Sequence, residues 1–431
     1  MKKYLAIVIG MLFVLGFAAS AFAIHAEIPS ETQAVVAKGA TQLTFGGDIR
    51  FRMDYRDNLT DQLDNSSGDE HFAQVDARVR LKIDAKVSDN TSGRIHFEND
   101  WVWGVGDHAQ GTYGRGNTTA GAYKKGEGQF IEAWIQHKAG PVTVKLGHMP
   151  LALGNNLFFD HREMGDDAVV AFMNPNKQTT IIGAYAKFNE GVGGINDDAN
   201  AYVLAALYNA DNFGISGDAT YVDDQGQNIH LWNFGIRGNV AVAGFKIKGD
   251  VELQTGEVDV AGGPDLSGWA AYVRGDYKLG NTGIYGLFAW GSGDDPDSAD
   301  DVELFQNSLS AVVYDYAGYL YHYRMKTAGG GHSGIANTLI FKVGANHKVN
   351  KDLSVGASVA YLKADEDVAL NGGTPDDDLG WEIDGKVKYG LDRNLSLTLE
   401  GGYFVVGDAY NHADGSSDDA WGARLVTQLS F

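Results

Sequence analysis

The 431-residue chain contains no cysteine. That absence excludes disulfides, thiolate metal sites, iron–sulfur clusters, c-type haem attachment and a cysteine nucleophile. Proline is scarce, at 7 residues, which rules out collagen-like or proline-rich architecture. Positive charge is in short supply: 34 Lys and Arg stand against 56 Asp and Glu, a net charge of −22. A phosphate backbone would be repelled, so nucleic acid is excluded as a general partner. After the first residues no apolar run reaches the roughly eighteen needed for a membrane helix. Glycine, at 57, and aromatic residues, at 20 Phe, 20 Tyr and 8 Trp, are plentiful, a composition unlike coiled coil or disorder.

The start reads as a secretory signal peptide over residues 1–23. Met1-Lys2-Lys3 is positive, Tyr4 to Phe17 is apolar, and Ala21-Phe22-Ala23 is a small-x-small cleavage site. An N-terminal anchor is the alternative. Residues 24–40 are expected to form a short periplasmic segment, with a helix capped by Ser30 and stopped at Gly39.

From Thr41 onward the pattern is that of strands. Leu43, Phe45, Ile49, Phe51, Met53 and Tyr55 share one face, and Asp48, Arg50, Arg52, Asp54 and Arg56 share the other. The next run repeats this, with Val75, Val79, Leu81 and Ile83 opposing Asp76, Arg78, Arg80, Lys82 and Asp84. Period-two alternation of this length predicts half-buried strands. At roughly 3.3 Å per residue, twelve residues reach about 40 Å, enough to cross a hydrocarbon layer at a tilt.

The connections alternate in length. Eight short ones fall at 88–92, 139–140, 174–177, 210–212, 243, 279–281, 349–351 and 392–393. Nine long ones fall at 57–69, 104–126, 150–165, 190–200, 223–228, 256–267, 291–336, 365–378 and 408–418. That alternation predicts an all-β closed antiparallel transmembrane barrel of about eighteen strands, with sixteen as the alternative. Short turns face the periplasm and long loops face outward. The barrel is expected to occupy 41–431.

One face must meet acyl chains and the other water. A basic residue at the bilayer midplane costs about 2–4 kcal/mol. Arg50, Arg52, Arg78, Arg80 and Lys82 would together cost about 10–20 kcal/mol facing lipid, as much as a whole domain's stability. With Arg94 they are expected to line a water-filled interior. Aromatics gather near strand ends, among them Tyr55, Trp101, Trp103, Tyr221, Trp269, Trp290, Trp381 and Trp421, which suits an interfacial girdle. Thr179–Phe188 and Ala201–Leu207 are apolar on both faces. Such strands pack against a neighbouring barrel or an inserted loop, or line a weakly polar stretch of wall.

The last strand, from Trp421, alternates and ends on Phe431. Here the chain resembles Gram-negative outer-membrane porins, whose last strand typically ends in Phe. The resemblance implies passive diffusion of small hydrophilic solutes and ions, Phe431 as an assembly signal, and a homotrimer in the lipid bilayer beside lipopolysaccharide. It also implies that the third long loop, 150–167, folds inward to narrow the pore. Phe158 and Phe159 would pin it, and Asp160, Glu163, Asp166 and Asp167, with Arg162 among them, would set carboxylates opposite the basic wall. Opposed charges across a narrow gap create a transverse field. The plainer reading pairs the basic residues with Asp48, Asp76 and Asp84.

Acidic clusters such as Asp197-Asp198, Asp223-Asp224, Asp294-Asp295, Asp376-Asp377-Asp378 and Asp418-Asp419 read as solvated outer loops. No enzyme signature assembles. Asp160-His161-Arg162-Glu163 lacks helical zinc spacing, Gly291-Ser292-Gly293 is not a nucleophile elbow, and Gly104-Val105-Gly106 is a weak dinucleotide match. No cofactor or metal is expected. Besides a passive porin, two functions stay open: a channel selective for anions or acidic saccharides, and a surface adhesin or structural barrel built around the long 291–336 connection.

Overall fold

The computed structural model describes residues 34–35, 41–59, 62, 71–103, 128–163, 165–191, 197–296, 298, 301–307, 309–310, 318–321, 325–330 and 334–431. Residues 1–23, the expected leader, and nearly all of 24–40 lie outside these residues.

Alternating side chains put a hydrogen-bonding edge on each side of every long run, and each edge finds a partner. The barrel strands are β1 (Gln42–Asp57), β2 (His71–Lys86), β3 (Thr91–Val102), β4 (Gly128–Ala139), β5 (Val142–Met149), β6 (Asp166–Met173), β7 (Thr179–Asn189), β8 (Ala199–Asn209) and β9 (Phe213–Asp224). They continue as β10 (Ile229–Val242), β11 (Phe245–Val258), β12 (Trp269–Leu279), β13 (Thr282–Gly291), β14 (Thr338–Lys348), β15 (Leu353–Val368), β16 (Asp376–Asp392), β17 (Leu395–Val406) and β18 (Ala420–Ser430). Each pairs antiparallel with the next, and β1 pairs with β18 from Asp48↔Ser430 to Asp57↔Trp421, which closes the ring. The count of eighteen settles the choice against sixteen, and Asp166–Met173 is one of the eighteen strands.

All eight expected short turns sit at junctions between successive strands, as do the long connections among the described residues; 104–126 lies outside them. The β10–β11 turn is two residues, Ala243 and Gly244, with φ of 50° and 86°. Positive φ at both positions matches the right-handed twist of the flanking strands. The expected helix from Ser30 to Gly39 is corrected at its centre: Ala34–Val35 pairs antiparallel with Thr44 and Phe45 of β1. An unpaired stretch of β1 backbone, extending past the end of β18, offers bonds that a short isolated helix cannot match.

Burial is inverted relative to a water-soluble fold. Leu204, Ile236 and Ile135 are 64%, 66% and 64% exposed on the outer face. Arg52, Glu252 and Glu382 on the inner face are at 2% or less. Aromatic pairs join neighbouring strands near the long-loop end, with ring centroids 4.9 Å apart for Tyr55–Trp421 and for Tyr221–Trp232, 4.8 Å for Tyr361–Trp381 and 4.3 Å for Trp269–Trp290. Phe245–Tyr277, 4.4 Å apart, does the same near the short-turn end.

Candidate functional site

The inner face of β1 to β3 carries all six expected basic residues, because strand alternation leaves them no other side. Register then sets acid opposite base. Arg52 faces Asp76 and Asp48 faces Arg80 across β1–β2, while Arg80 faces Glu98 and Asp84 faces Arg94 across β2–β3. Arg52 bonds Asp76 at 2.7 Å, Arg94 bonds Asp84 at 2.6 Å, Arg80 bonds Glu98 at 2.5 Å, and Arg78 reaches Asp48 at 3.4 Å. Arg50 lies 3.9 Å from Asp76 and Lys82 lies 4.0 Å from Asp84. Each of the six thus has a carboxylate within ion-pair distance. Trp134 on β4 adds an aromatic face, with Lys145 at 4.0 Å and Arg94 at 5.5 Å from its ring centre.

Loop 3, residues 150–165, runs inside the barrel. Leu151, Leu153, Leu157, Phe158 and Phe159 form one apolar cluster with Ala168, Val170, Ile182, Ala186, Ala201, Val203, Ala205 and Leu207 on β6 to β8. The strands apolar on both faces therefore meet an inserted loop. Phe159 meets Phe188 of β7 edge to face at 5.6 Å. The loop's charges are distributed differently from the expectation. Asp160 is buried and accepts two 2.7 Å bonds from Arg162 of its own loop. Asp166 pairs with His161 at 2.7 Å. Asp167 pairs with His148 at 3.0 Å and is well exposed. Glu163 is close enough to act electrostatically on Arg80. Asp160 and Asp166 are engaged by partners two and five residues away, which are always within reach, and Asp167 by His148 on the adjacent strand β5.

Sequence reasoning missed a second charged centre on the facing wall. Arg237 of β10 bonds Asp218 of β9, and Asp250 and Glu252 of β11. Asp218 and Glu252 both lie opposite Gly235, whose missing side chain leaves the passage through which the guanidinium reaches them. Asn155 of loop 3 donates its backbone N–H and its side-chain Nδ2 to Asp250 at 2.8 and 3.2 Å, pinning the loop tip to this centre. Gly154, with φ of 55°, lies against Arg237 where a Cβ would collide. The alternation of Asp250 and Glu252 was the legible signal; their convergence on one arginine was not.

Also missed was the inward path of loop 7, residues 292–337. Its described parts touch β11, loop 3 and β16, with Leu309–Ser310 pairing parallel to Phe159–Asp160. Of the acidic outer loops, Asp61, Asp64, Asp297 and Asp300 lie outside the described residues. Among the described residues no group of three His, Asp or Glu side chains is set to hold a metal ion.

Known structures share this architecture. The chain superposes on OccK9 (OpdG) of Pseudomonas aeruginosa with a TM-score of 0.60 at 14% identity, covering 90% of this chain and 98% of that one. OccAB1 of Acinetobacter baumannii gives 0.59 at 14% identity, covering 90% and 96%. OpdK of P. aeruginosa, solved with vanillate, gives 0.58 at 12% identity, covering 90% and 98%. The fold is that of Gram-negative outer-membrane porins. These relatives are porins rather than enzymes. No family model and no curated protein matches the chain. Within the shared fold, the interior described above has two chemical capacities. Paired charges hydrate and pass polar solutes, and the inserted loops limit the space left to them.

Proposed function

We propose that the chain is exported by its first 23 residues and folds in the outer membrane as a passive, water-filled porin for small hydrophilic solutes and ions. The observation that supports this best is the inverted burial of a closed ring. Charged side chains are gathered inside and large apolar ones stand exposed outside, an arrangement stable only with lipid around it and water within. Loop 3 acts as the constriction, pinned by Phe158, Phe159 and Asn155, and its Glu163 faces the basic wall of Arg50, Arg52, Arg78, Arg80, Lys82 and Arg94. Because each of these cations has a carboxylate neighbour, ion selectivity is weak. Phe431 serves as the C-terminal assembly signal, and three barrels associate in a bilayer whose outer leaflet is lipopolysaccharide.

Purified protein in planar bilayers is expected to give stepwise conductance in KCl and a small reversal potential across a salt gradient. A barrel that inserts without conductance steps overturns the porin reading. A second reading, a channel selective for carboxylate solutes, draws on the six inner-face cations and on the vanillate held by OpdK. A strong anion preference, abolished when Arg78 and Arg80 both become Ala, favours it over the first.

A further inference from the structure

The six cations of β1 to β3 each have a carboxylate at hand, so their charge is offset where it stands. Four lysines elsewhere on the inner face are not matched in this way. Alternation carries the inner face of β4 from Glu132 to Lys138, of β12 from Tyr272 to Lys278, of β14 from Lys342 to Lys348 and of β16 from Glu382 to Lys388, and no bulge interrupts those stretches. All four lysines lie at the short-turn end and are exposed. Among the described residues none of them has a carboxylate within ion-pair distance. Carboxylates near this end are engaged by other cations: Asp89 by Lys86 at 3.0 Å, Asp276 by Arg274 at 2.8 Å, Asp352 by Lys351 at 3.7 Å and Glu400 by Lys386 at 3.0 Å. Asp211 and Asp392 sit in or beside the turns themselves. Lys348 and Lys388 share one row, with Ser354 of β15 between them, roughly 10 Å apart at two strand spacings. Strands β4 and β14 are eight apart in a ring of eighteen, so Lys138 and Lys348 stand on opposing walls.

The long-loop end has the opposite sign. Glu366 lies within electrostatic reach of Asp295, Glu303, Asp365 and Asp367, and Asp378 of Asp376, Asp377 and Asp408, with Lys363 answering Asp377 alone. Fixed charges of opposite sign in series along a pore act as an ionic diode. With the outer end positive, cations enter through the acidic mouth and anions through the basic exit, each by the end that favours it, and both accumulate between. With the voltage reversed, both are drawn out of that region and it empties. The two ends also favour opposite ions, so their effects offset in the reversal potential. Such fields must span the lumen, and the Debye length is about 30 Å at about 0.01 M salt but about 3 Å at about 1 M.

We propose that Lys138, Lys278, Lys348 and Lys388 are specificity-determining residues at the periplasmic exit. They form a collar that favours anions and, in series with the acidic mouth, make the pore conduct better in one direction than in the other. This rests on the porin reading above.

The test is single-channel current at equal and opposite voltages, in KCl at about 0.01 M and at about 1 M. Whichever way a barrel inserts, the wild type is expected to carry about twofold or more current at one polarity than at the other in the dilute salt, and equal currents in the concentrated one. Lys138→Gln, Lys278→Gln, Lys348→Gln and Lys388→Gln together are expected to bring the ratio close to one and to move the reversal potential toward cation preference. The same four positions changed to Arg, which keeps the charge, are expected to retain both wild-type values. Heat-modifiable migration on gels shows that each variant is a folded barrel. A wild-type pore that conducts equally at both polarities in dilute salt overturns the charge polarity and leaves the porin reading standing. A folded Gln variant with the wild-type ratio and reversal potential overturns the role of the lysines. A folded wild-type barrel that never conducts defeats the porin reading and the diode with it.

Discussion

At the scale of single residues, the interior is an exercise in compensating charge. The inner faces of β1 to β3 and the Arg237 centre both place carboxylates beside guanidinium groups at hydrogen-bond distance. A buried ion pair contributes little on balance, but removing one member leaves the other uncompensated at about 3–5 kcal/mol. Arg237→Ala strips three carboxylates of their shared partner, and its midpoint of denaturation in urea is expected to fall well below that of wild type. Gly235→Ala tests the same centre by geometry. Its new Cβ occupies the path of the Arg237 guanidinium, for an overpacking cost of about 1–3 kcal/mol, while Gly275→Ala, whose Cβ meets nothing within 4 Å, is expected to be near neutral by the same measurement. Alternation alone placed these charges inside. It could not say that Asp250 and Glu252 share Arg237, because that depends on the register between β10 and β11 and on the space above Gly235.

At the scale of elements, the two inserted loops differ in how far they could be foreseen. Loop 3 left a trace in the strands it covers: β7 and β8 are apolar on both faces, and an inserted loop was one of the readings that pattern allowed. Loop 7 left no such trace. Its contacts run largely through main-chain N–H and C=O groups, as at Gln306, Leu320 and Tyr321, which nearly every residue carries, so no side-chain pattern marks them. Its packing carries a pH signature instead. Burial pushes the Tyr321 phenol up to about 12, and burial also raises Tyr319 and Tyr410. An ordinary tyrosine in a released loop titrates near 10. The folded loop therefore holds its protons more tightly, and its stability is fully present below about pH 10 and declines as pH rises toward 12. Hydrogen exchange of the 318–330 amides is expected to be flat from pH 7 to 9, once corrected for the intrinsic rate, and to accelerate above about pH 10. Tyr321→Phe is expected to weaken that acceleration.

At the scale of the whole molecule, closure and the outer belt govern stability. Phe431 extends the β1–β18 seam: Gly47 donates its N–H to the Phe431 carbonyl at 2.8 Å, and Phe431 donates back at 2.9 Å. The ring lies beside Gly47, where a Cβ would crowd it at 3.0 Å. Deletion of Phe431 is expected to slow the appearance of the heat-modifiable barrel during refolding into vesicles. On the outer belt, Leu204→Arg is expected to cost about 2–4 kcal/mol of folding free energy in lipid, read from the denaturant midpoint in vesicles. The sequence by itself determined the closed barrel, a strand count of about eighteen with sixteen left open, the side of each charged residue and the places of the turns. Those follow from local rules, since period-two alternation and the need to satisfy every backbone group in hydrocarbon act within one strand or between neighbours. Only the tertiary structure decided that the cations are matched by carboxylates, that Glu163 comes within electrostatic reach of Arg80, and that parts of loop 7 turn inward to meet Gln254 and Glu382. These depend on register and on contacts between residues up to hundreds of positions apart, whose distances exist only once the ring has closed.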